Sequence, residues 1–187
     1  MTIFGNKICT RRLLLRKIEE KNLAKIVEWS HSEEAYGEYL TPECISHEDG
    51  SRHLETGLFW NDKSRTFIIE LHDGTPIGTI HYWLRSENKA IAVVALKIAR
   101  LDLRKQGYGT EAQKYLIIQL FERAGLDAVE MYTDIDNHAQ QRCLRKLGFA
   151  LIDSLQYEDQ DVKRTGHLFR LTSEAYKNVP LYQYHYE

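Results

Sequence analysis

The chain has 187 residues, with 25 Lys and Arg residues against 27 Asp and Glu residues and a formal charge of −2. Hydrophobic residues make up 43% and charged residues 28% of the chain, a composition that can bury a core and that excludes intrinsic disorder. The near balance of charge removes any general electrostatic reason to bind nucleic acid or an anionic membrane surface. No apolar run approaches the roughly 18 residues that a membrane helix needs, so we expect no membrane span.

The N-terminus and the cysteines bear on the cellular compartment. Residues 1–16 lack the apolar segment and the small-residue cleavage site of a secretory signal. Cys9, Cys44 and Cys143 are odd in number and widely spaced, which fits reduced thiols in the cytoplasm. No Cys or His spacing resembles that of a zinc site. We therefore expect a cytoplasmic protein without a bound metal.

The first third of the chain predicts a strand, a helix and an irregular region. Residues 10–17 alternate, and residues 19–29 carry apolar side chains at helical spacing. Residues 30–60 mix acidic and aromatic side chains around Pro42. We expect a loop in this region, followed by a helix over residues 48–60.

A three-stranded antiparallel meander is predicted next. Residues 65–71 and 77–84 are rich in β-branched and aromatic side chains, and they flank an Asp73-Gly74 pair that readily forms the tight turn of a hairpin. Residues 90–99 form a third apolar run of strand length. The simplest arrangement places these three strands side by side in chain order.

The second half of the chain alternates between helices and strands. Apolar residues recur at helical spacing over residues 110–124 and again over residues 137–147. Strand patterns occupy residues 129–134, and two more at 149–157 and 162–171 predict a closing hairpin. The succession of elements is that of an α+β protein.

Residues 1–187 are predicted to form a single domain, because no linker, internal repeat or low-complexity segment divides the chain. Tyr182, Tyr184 and Tyr186 alternate at the C-terminus. This alternation predicts either a last edge strand or an interface strip, and the second alternative would suit a homodimer.

The chemically informative segment lies where the last strand of the meander passes into the long helix. A short basic loop with two glycines joins them. The first turn of a helix leaves N–H groups unpaired and carries roughly half a positive charge, so such a junction can bind a phosphate. Gly107 and Gly109 would let the backbone approach the anion, while Arg104 and Lys105 add positive charge. The alternative is a glycine-bearing turn with a solvated basic pair.

Two common nucleotide-binding motifs do not fit this loop. It lacks the Gly-Lys-Ser/Thr ending of the P-loop, and it lacks Gly-x-Gly-x-x-Gly with an acidic residue about 20 positions further on. No parallel βαβ unit precedes it. Nucleoside triphosphatase and dinucleotide-binding functions are therefore excluded.

The loop resembles the pyrophosphate-binding signature Arg/Gln-x-x-Gly-x-Gly/Ala of the GCN5-related N-acetyltransferase (GNAT) superfamily, and stands here as Arg104-Lys105-Gln106-Gly107-Tyr108-Gly109. Residues 137–149 are similar to the Asn-x-x-Ser/Ala-x-Arg-x-Leu-x-Lys-x-Gly-Phe stretch of the branch that acetylates ribosomal-protein alanine and serine N-termini. Residues 10–16 are typical of the first strand of that branch. The resemblance spans roughly residues 10–171.

The resemblance implies a mixed, mostly antiparallel sheet of six to seven strands flanked by helices, with acetyl-CoA bound where the fourth and fifth strands separate. The strand end before the loop would contact the pantetheine arm, the loop would hold the pyrophosphate, and two residues of the second motif would lie close by. The implied cofactor-binding residues are Lys97, Ile98, Ala99, Arg104, Lys105, Gln106, Gly107, Tyr108, Gly109, Thr110, Asn137 and Arg142. From the residues alone, Asn137 could equally be a helix N-cap and Arg142 a solvated side chain.

The same resemblance implies that a primary amine attacks the acetyl thioester directly, with a base for the amine and an acid for the departing CoA thiolate. The positions that often carry these groups hold Val94 and Leu144 here. His81 in the third predicted strand is a candidate base, although a lone strand histidine is more often structural. Cys143 fits core packing better than chemistry, and water-mediated deprotonation stays open.

The implied acceptor is a protein N-terminal amine or a small-molecule amine. The acidic and aromatic region 30–60 could attract such a cation, or it could be a plain solvated loop. Residues 157–164 are similar to a late loop of polyamine N-acetyltransferases. The alternative function is a CoA-binding regulatory module with little or no turnover, which Val94 and Leu144 suggest. We expect no nucleic acid or membrane partner.

Overall fold

The computed structural model describes residues 5–183, and it contains one eight-stranded sheet flanked by helices. The strands are β1 (Lys7–Cys9), β2 (Leu13–Lys17), β3 (Ser64–Leu71), β4 (Pro76–Leu84), β5 (Ile91–Ile98), β6 (Ala128–Asp134), β7 (Ala150–Asp159) and β8 (Val162–Thr172). They lie in the order β1-β2-β3-β4-β5-β6-β8-β7, and every neighbouring pair is antiparallel except β5 and β6. The predicted α+β fold with its mostly antiparallel sheet is confirmed. The strand beyond the predicted six to seven is β1, which has only three residues.

Six α-helices connect and cover the strands of the described chain. They are α1 (Leu23–Ser30), α2 (Glu33–Tyr36), α3 (His47–Glu55), α4 (Tyr108–Glu122), α5 (His138–Lys146) and α6 (Ser173–Asn178), with short 3-10 helices at Glu20–Asn22, Leu101–Leu103 and Pro180–Tyr182. Within residues 5–183, no helix combines the length and the apolar character that crossing a membrane requires.

The two faces of the sheet pack against different helices. On one face, Ile80 and Tyr82 of β4 are buried in the main core together with Leu116 of α4. On the other face, Ile68 of β3 packs in a second cluster with Leu23 of α1. We call these the α4 face and the α1 face. Because side chains alternate along a strand, neighbouring residues of β5 point to opposite faces.

The sheet opens between β5 and β6. Ile91 to Val93 pair in parallel with Ala128 to Glu130, and no later residue of β5 pairs with β6. The parallel pair requires a crossover connection, which α4 supplies. Beyond the last pair, residues 94–98 of β5 and 131–134 of β6 border a space that we call the gap. The gap leaves one edge of β5 without a partner strand.

Helix α3 is shorter than predicted, because the expected helix over residues 48–60 ends at Glu55. Thr56 caps the helix, and Gly57 follows with a φ of 72°. This left-handed conformation is the usual way for a glycine to end a helix. The glycine was visible in the sequence, but the aromatic residues behind it suggested that the apolar face continued.

The C-terminal tyrosine alternation does not form a strand at the one position that the structure describes. Tyr182 lies in a 3-10 helix and is only 3% exposed, and its hydroxyl donates to the Leu147 carbonyl at 2.8 Å. It packs on Tyr176 of α6, with ring centres 4.6 Å apart. The expectation of an edge strand or interface strip is therefore wrong for Tyr182, which belongs to the core. Tyr184 and Tyr186 lie outside the described residues.

Candidate active site

The start of α4 forms a cup of unpaired backbone N–H groups. Gly107 precedes the helix with a φ of 84°, and Lys105 in the loop before it has a φ of 61°. The amides of residues 105–110 donate none of the backbone hydrogen bonds formed within the described chain. Successive amides that include left-handed residues make an anion-binding concavity, and the helix dipole adds positive charge. We call residues 105–110 the anion cup; they include the loop glycines that the sequence singled out.

Arg12, in the turn before β2, anchors the anion cup. Its Nη1 donates to the Gln106 carbonyl at 3.0 Å, and its guanidinium lies 4.3 Å from the centre of the Tyr108 ring. Its Nε donates to Glu111 of α4 at 2.6 Å. Burial raises the pKa of Glu111, but hydrogen bonds from Thr10 and Arg12 outweigh burial and lower that pKa. Arg12 was not among the site residues predicted from the sequence, although it lies in the N-terminal segment that carried part of the resemblance.

The guanidinium of Arg104 is directed at backbone carbonyls. Its Nε donates to the Ile98 carbonyl at 2.8 Å, and its Nη2 donates to the carbonyls of Glu34 and Ala35 at 2.7 and 2.8 Å. Burial lowers its pKa, which Glu34 opposes. Arg104 therefore ties the end of β5 to α2. The groups open to an anion at this junction are the backbone amides rather than this side chain.

The unpaired edge of β5 presents only part of the predicted pantetheine contact. The amide of Ala99 donates to the Ile77 carbonyl at 2.8 Å, so its N–H faces β4. The Lys97 carbonyl also faces β4, where it approaches Gly78 so closely that a Cβ there would collide with it. By alternation, the backbones of Leu96 and Ile98 face the gap. Of the three predicted residues, Ile98 alone has its backbone toward the gap, with its N–H open and its carbonyl bound to Arg104.

Helix α5 places the second sequence motif beside the anion cup. Asn137 caps this helix, since its side chain accepts a hydrogen bond from the Gln140 amide at 3.1 Å. The Gln140 side chain in turn donates to Gln113 of α4 at 2.8 Å. Arg142 is exposed. The N-cap alternative for Asn137 is thus observed, and the motif joins the starts of α4 and α5.

The positions expected to hold an acid and a base are part of the core. Val94 is 2% exposed and Leu144 is fully buried, both in the main core. Cys143 lies 3.1 Å from the Thr110 hydroxyl, and burial raises the pKa of its thiol. These three side chains pack α5 against β5 and α4, so none of them offers a titrating group at neutral pH.

A segment that we call the strap, residues 37–44, crosses the gap on the α1 face. It begins at the end of α2, which Arg104 holds against β5. In the middle of the strap, the Thr41 amide donates to the Asp159 carboxylate at 2.7 Å, and the Tyr39 hydroxyl donates to the Asp136 carbonyl at 3.3 Å. The strap therefore joins the two sides of the gap through hydrogen bonds.

Arg164 of β8 fastens the strap further. Its Nη2 donates to the Thr41 hydroxyl at 3.0 Å, and its guanidinium is 3.3 Å from Asp159 and 3.8 Å from Asp134. A cavity of about 520 Å³ opens between the strap and the β7–β8 hairpin. Its lining residues are Glu33, Gly37, Glu38, Leu40, Thr41, Pro42, Val162 and Arg164. The cavity thus has both acidic and apolar walls.

A buried carboxylate closes the base of the gap. Glu130, the last residue of β6 that pairs with β5, is 0% exposed and is held between the guanidinium groups of Arg85 and Arg170. Arg85 also donates to the Tyr132 hydroxyl at 2.7 Å, and the Tyr132 ring lies 5.5 Å from that of Tyr157. Glu130 was not among the residues predicted from the sequence, although a glutamate inside an apolar strand was a visible signal.

His81, the candidate base, lies on the α1 face of β4. Its Nε2 is 2.7 Å from the Ser64 hydroxyl, and its ring packs on Trp83 with centres 5.1 Å apart. Burial lowers the pKa of His81 to about 4. The ring is therefore neutral at pH 7, and it is a weak acceptor for the proton of an amine.

The architecture is the one that the resemblance to N-acetyltransferases implies. It combines a parallel strand pair that splits, an anion cup at the start of α4 and the second motif beside that cup. Residues 12–150 match the acetyltransferase (GNAT) domain family. Because this match covers more than half of the 187 residues, the chain belongs to the GNAT family. No curated protein matches the chain significantly.

Solved structures share this fold at low sequence identity. RimL, an alpha-N-acetyltransferase of a ribosomal protein in complex with coenzyme A, has a TM-score of 0.76 at 15% identity, with 90% of this chain and 99% of that chain covered. A spermidine N-acetyltransferase SpeG chimera from Vibrio cholerae and hSSAT has a TM-score of 0.75 at 15% identity, with coverage of 89% and 98%. A GNAT-family acetyltransferase from Bacillus anthracis has a TM-score of 0.74 at 16% identity, with coverage of 90% and 99%.

Proposed function

We propose that this GNAT protein transfers the acetyl group of acetyl-CoA to a primary amine by direct attack on the thioester. The observation that carries the proposal is the anion cup, because it places unpaired amides next to the unpaired edge of β5. A diphosphate needs several hydrogen bonds and positive potential at one point, and the start of α4 supplies both. The amide-rich pantetheine arm needs an open strand edge, which the gap supplies.

The residues of the site fit this ligand. Residues 105–110 would hold the diphosphate through their amides, with Arg12 fixing the loop from behind. The backbones of Leu96 and Ile98 would pair with the pantetheine amides. Gly109 is needed here, because a Cβ at that position would lie 3.0 Å from the Leu96 side chain and would press on the strand edge. Acetyl-CoA then brings its thioester into the gap.

The acceptor must lose a proton before it can attack. An alkylamine with a pKa of about 10.4 requires about 4 to 5 kcal/mol to become neutral at pH 7, whereas an α-amine near 8 requires only about 1 to 1.5 kcal/mol. The α1 face offers carboxylates of the strap and of the β7–β8 hairpin, which favour a cation. A protein N-terminal amine and a slender small amine both satisfy these conditions.

A CoA-binding regulatory module is the second candidate, and one observation favours it. Val94 and Leu144 are core residues, so the positions that often supply the base and the acid are apolar. Binding of acetyl-CoA without transfer to any amine would support this candidate.

Two measurements on the full chain test the proposal. Isothermal titration calorimetry should show binding of acetyl-CoA, and a thiol reagent should show release of CoA when an amine is added. The amine panel contains spermidine and peptides that begin with Ala or Ser. Each peptide has an N-terminally blocked copy as its control. Transfer to the free peptides alone identifies a protein N-terminal acceptor, and transfer to spermidine identifies a small amine. Failure to bind acetyl-CoA would contradict the proposal.

A further inference from the structure

Lys97 sends its side chain from β5 into the space between the gap and the strap. It lies on the α1 face, where its Nζ is 3.6 Å from the centre of the Tyr36 ring. Its neighbours Leu96 and Ile98 have their backbones toward the gap. The Lys97 side chain therefore leaves the strand between the two residues that would contact the pantetheine arm, and it does so on the side of the strap.

The amine of Lys97 is held by an aromatic face instead of a carboxylate. It takes part in none of the ion pairs formed by the described residues. An aromatic ring stabilises the ammonium less firmly than an ion pair does, and burial disfavours the charged form. Burial lowers the pKa of Lys97 to about 8, and Glu43 of the strap acts in the opposite direction. About a tenth of the molecules then carry a neutral amine at pH 7.

Two other titratable groups near this amine, Tyr36 and His81, are each held in one protonation state near neutral pH. Burial raises the pKa of the Tyr36 hydroxyl, so the phenol stays protonated. His81 is two residues along β4 from Thr79, the pairing partner of Lys97, and is neutral because its pKa is about 4. If the parallel register continued across the gap, Asp134 would lie opposite Lys97, and this carboxylate already faces Arg164 at 3.8 Å. Of Lys97, Tyr36 and His81, Lys97 has the pKa closest to neutral pH.

We propose that Lys97 is a catalytic residue that accepts the proton of the attacking amine. This inference rests on the proposed function. In the step, the amine nitrogen bonds to the acetyl carbonyl carbon, the carbon–sulfur bond breaks, and the electron pair leaves with sulfur as CoA thiolate. The proton lost by nitrogen moves to the lone pair on the Lys97 Nζ. Lys97 then gives this proton to solvent, and solvent protonates the thiolate.

Three other groups are less suited to this role. His81 is engaged with the Ser64 hydroxyl and is a weaker base by about four pKa units, since its pKa is about 4 and that of Lys97 is about 8. The Tyr132 hydroxyl already accepts a hydrogen bond from Arg85. Cys143 packs α5 against α4, where Thr110 and Gln113 contact its sulfur. Of these candidates, Lys97 combines an amine outside the ion pairs of the described residues with a place beside the gap.

Two substitutions separate the base role from a role of charge alone. Lys97→Met removes the amine, and Lys97→Arg keeps a positive charge over Tyr36 but cannot lose its proton near neutral pH. Lys17→Met is the matched control, because the Lys17 Nζ also lies over an aromatic ring, 5.8 Å from the centre of the Trp60 ring, at the far end of the sheet. Acetyl-CoA affinity is measured by calorimetry, and CoA release with spermidine and an Ala-peptide is measured from pH 6 to pH 10.

The expected result is that both Lys97 variants bind acetyl-CoA within about threefold of the unsubstituted protein but lose about 100-fold or more in kcat, the usual size of a general-base contribution. Protonation of the acceptor amine itself lowers activity in every variant, at about pH 8 for the Ala-peptide and at about pH 10 for an alkylamine. With spermidine, the unsubstituted protein should therefore show a separate inflection at about pH 8, as Lys97 becomes protonated, and the variants should lack it. Full activity in Lys97→Arg, or an acetyl group found on Lys97 by mass spectrometry, would overturn the proposal. Absence of turnover in the unsubstituted protein would overturn both the role of Lys97 and the transferase function. A fully active Lys97→Met would overturn the role of Lys97 and leave the transferase function standing.

Discussion

The two sides of the gap are built in different ways. The anion cup consists of consecutive amides, residues 105–110, whose positions depend on the local backbone. The strap depends on contacts between distant segments, since Thr41 and Asp159 are 118 residues apart in the chain. A site built from backbone tolerates many side chains, but a site built from side chains changes with each substitution. The anion cup, which we propose holds the cofactor, is therefore recognisable as a sequence motif, whereas the strap, which we propose faces the acceptor, is specific to this chain. We call these two parts the cofactor side and the acceptor side.

The largest effect is expected at the base of the gap, where the two sides meet. Glu130→Gln leaves Arg85 and Arg170 without their buried carboxylate, which should cost about 3 kcal/mol or more in the free energy of unfolding. Urea denaturation measures the change. Glu87→Gln is the control, because Glu87 pairs with the same Arg85 at 3.2 Å but is exposed. Its loss should lower the free energy of unfolding by about 1 kcal/mol or less. Equal effects would show that the burial of Glu130 is unimportant.

The next effect tests whether the cofactor side is made of backbone. Gly107→Val forces a branched side chain into a φ of 84° and places its Cβ 3.3 Å from the Arg12 guanidinium. We expect acetyl-CoA affinity to fall about 100-fold, or about 2.7 kcal/mol. Gly125→Val is the matched control for backbone strain alone, because Gly125 has a φ of 66° with open space around it. Calorimetry on both variants, after thermal melting has confirmed folding, distinguishes strain from loss of the anion cup.

A smaller effect is expected where the cofactor side is tied to the acceptor side. Arg104→Glu replaces the donors to three carbonyls by a carboxylate beside the anion cup. We expect acetyl-CoA to bind at least tenfold more weakly, about 1.4 kcal/mol, in calorimetric titrations. Arg100→Glu makes the same change of charge in the same loop, but Arg100 is exposed and pairs with Asp102. We therefore expect acetyl-CoA affinity to fall less than threefold in this control. Unchanged affinity in Arg104→Glu would remove Arg104 from the site.

The smallest effect is confined to the acceptor side. Arg164→Met removes the hydrogen bond to Thr41 and the ion pairs with Asp159 and Asp134. The strap should loosen, so the KM for the amine that proves active should rise about fivefold, about 1 kcal/mol, with the Kd for acetyl-CoA unchanged. A change in acetyl-CoA affinity instead would show that the two sides of the gap are not independent.

Local patterns in the sequence were sufficient to predict most of the sheet and the position of the anion cup. The Asp73-Gly74 turn and the alternating strands around it gave the meander, and the two loop glycines marked the start of α4. These features depend on residues that are close together in the chain, so a single sequence is enough to predict them. The start of α5 was equally local, because Asn137 caps the helix that follows it.

The rest of the site depends on contacts that sequence spacing does not contain. Arg104 looks like a free cation in the loop, but its partners are carbonyls of Glu34 and Ala35, about 70 residues earlier. Glu130 lies on β6 and Arg170 on β8, while Arg85 directly follows β4. Only the pairing of β6 with β8 brings Arg170 next to Glu130. Lys97 was assigned to the cofactor through its backbone, because the direction of its side chain depends on which helix covers each face.

Under the proposed function, an acceptor that approaches from the α1 face has to pass the strap, whose hydrogen bonds through Tyr39 and Thr41 span the gap. A chain terminus or a slender polyamine is narrow enough to approach end-on, whereas a lysine in the middle of a folded surface brings its neighbours with it. We therefore expect the strap to limit the width of an acceptor as well as to attract its charge.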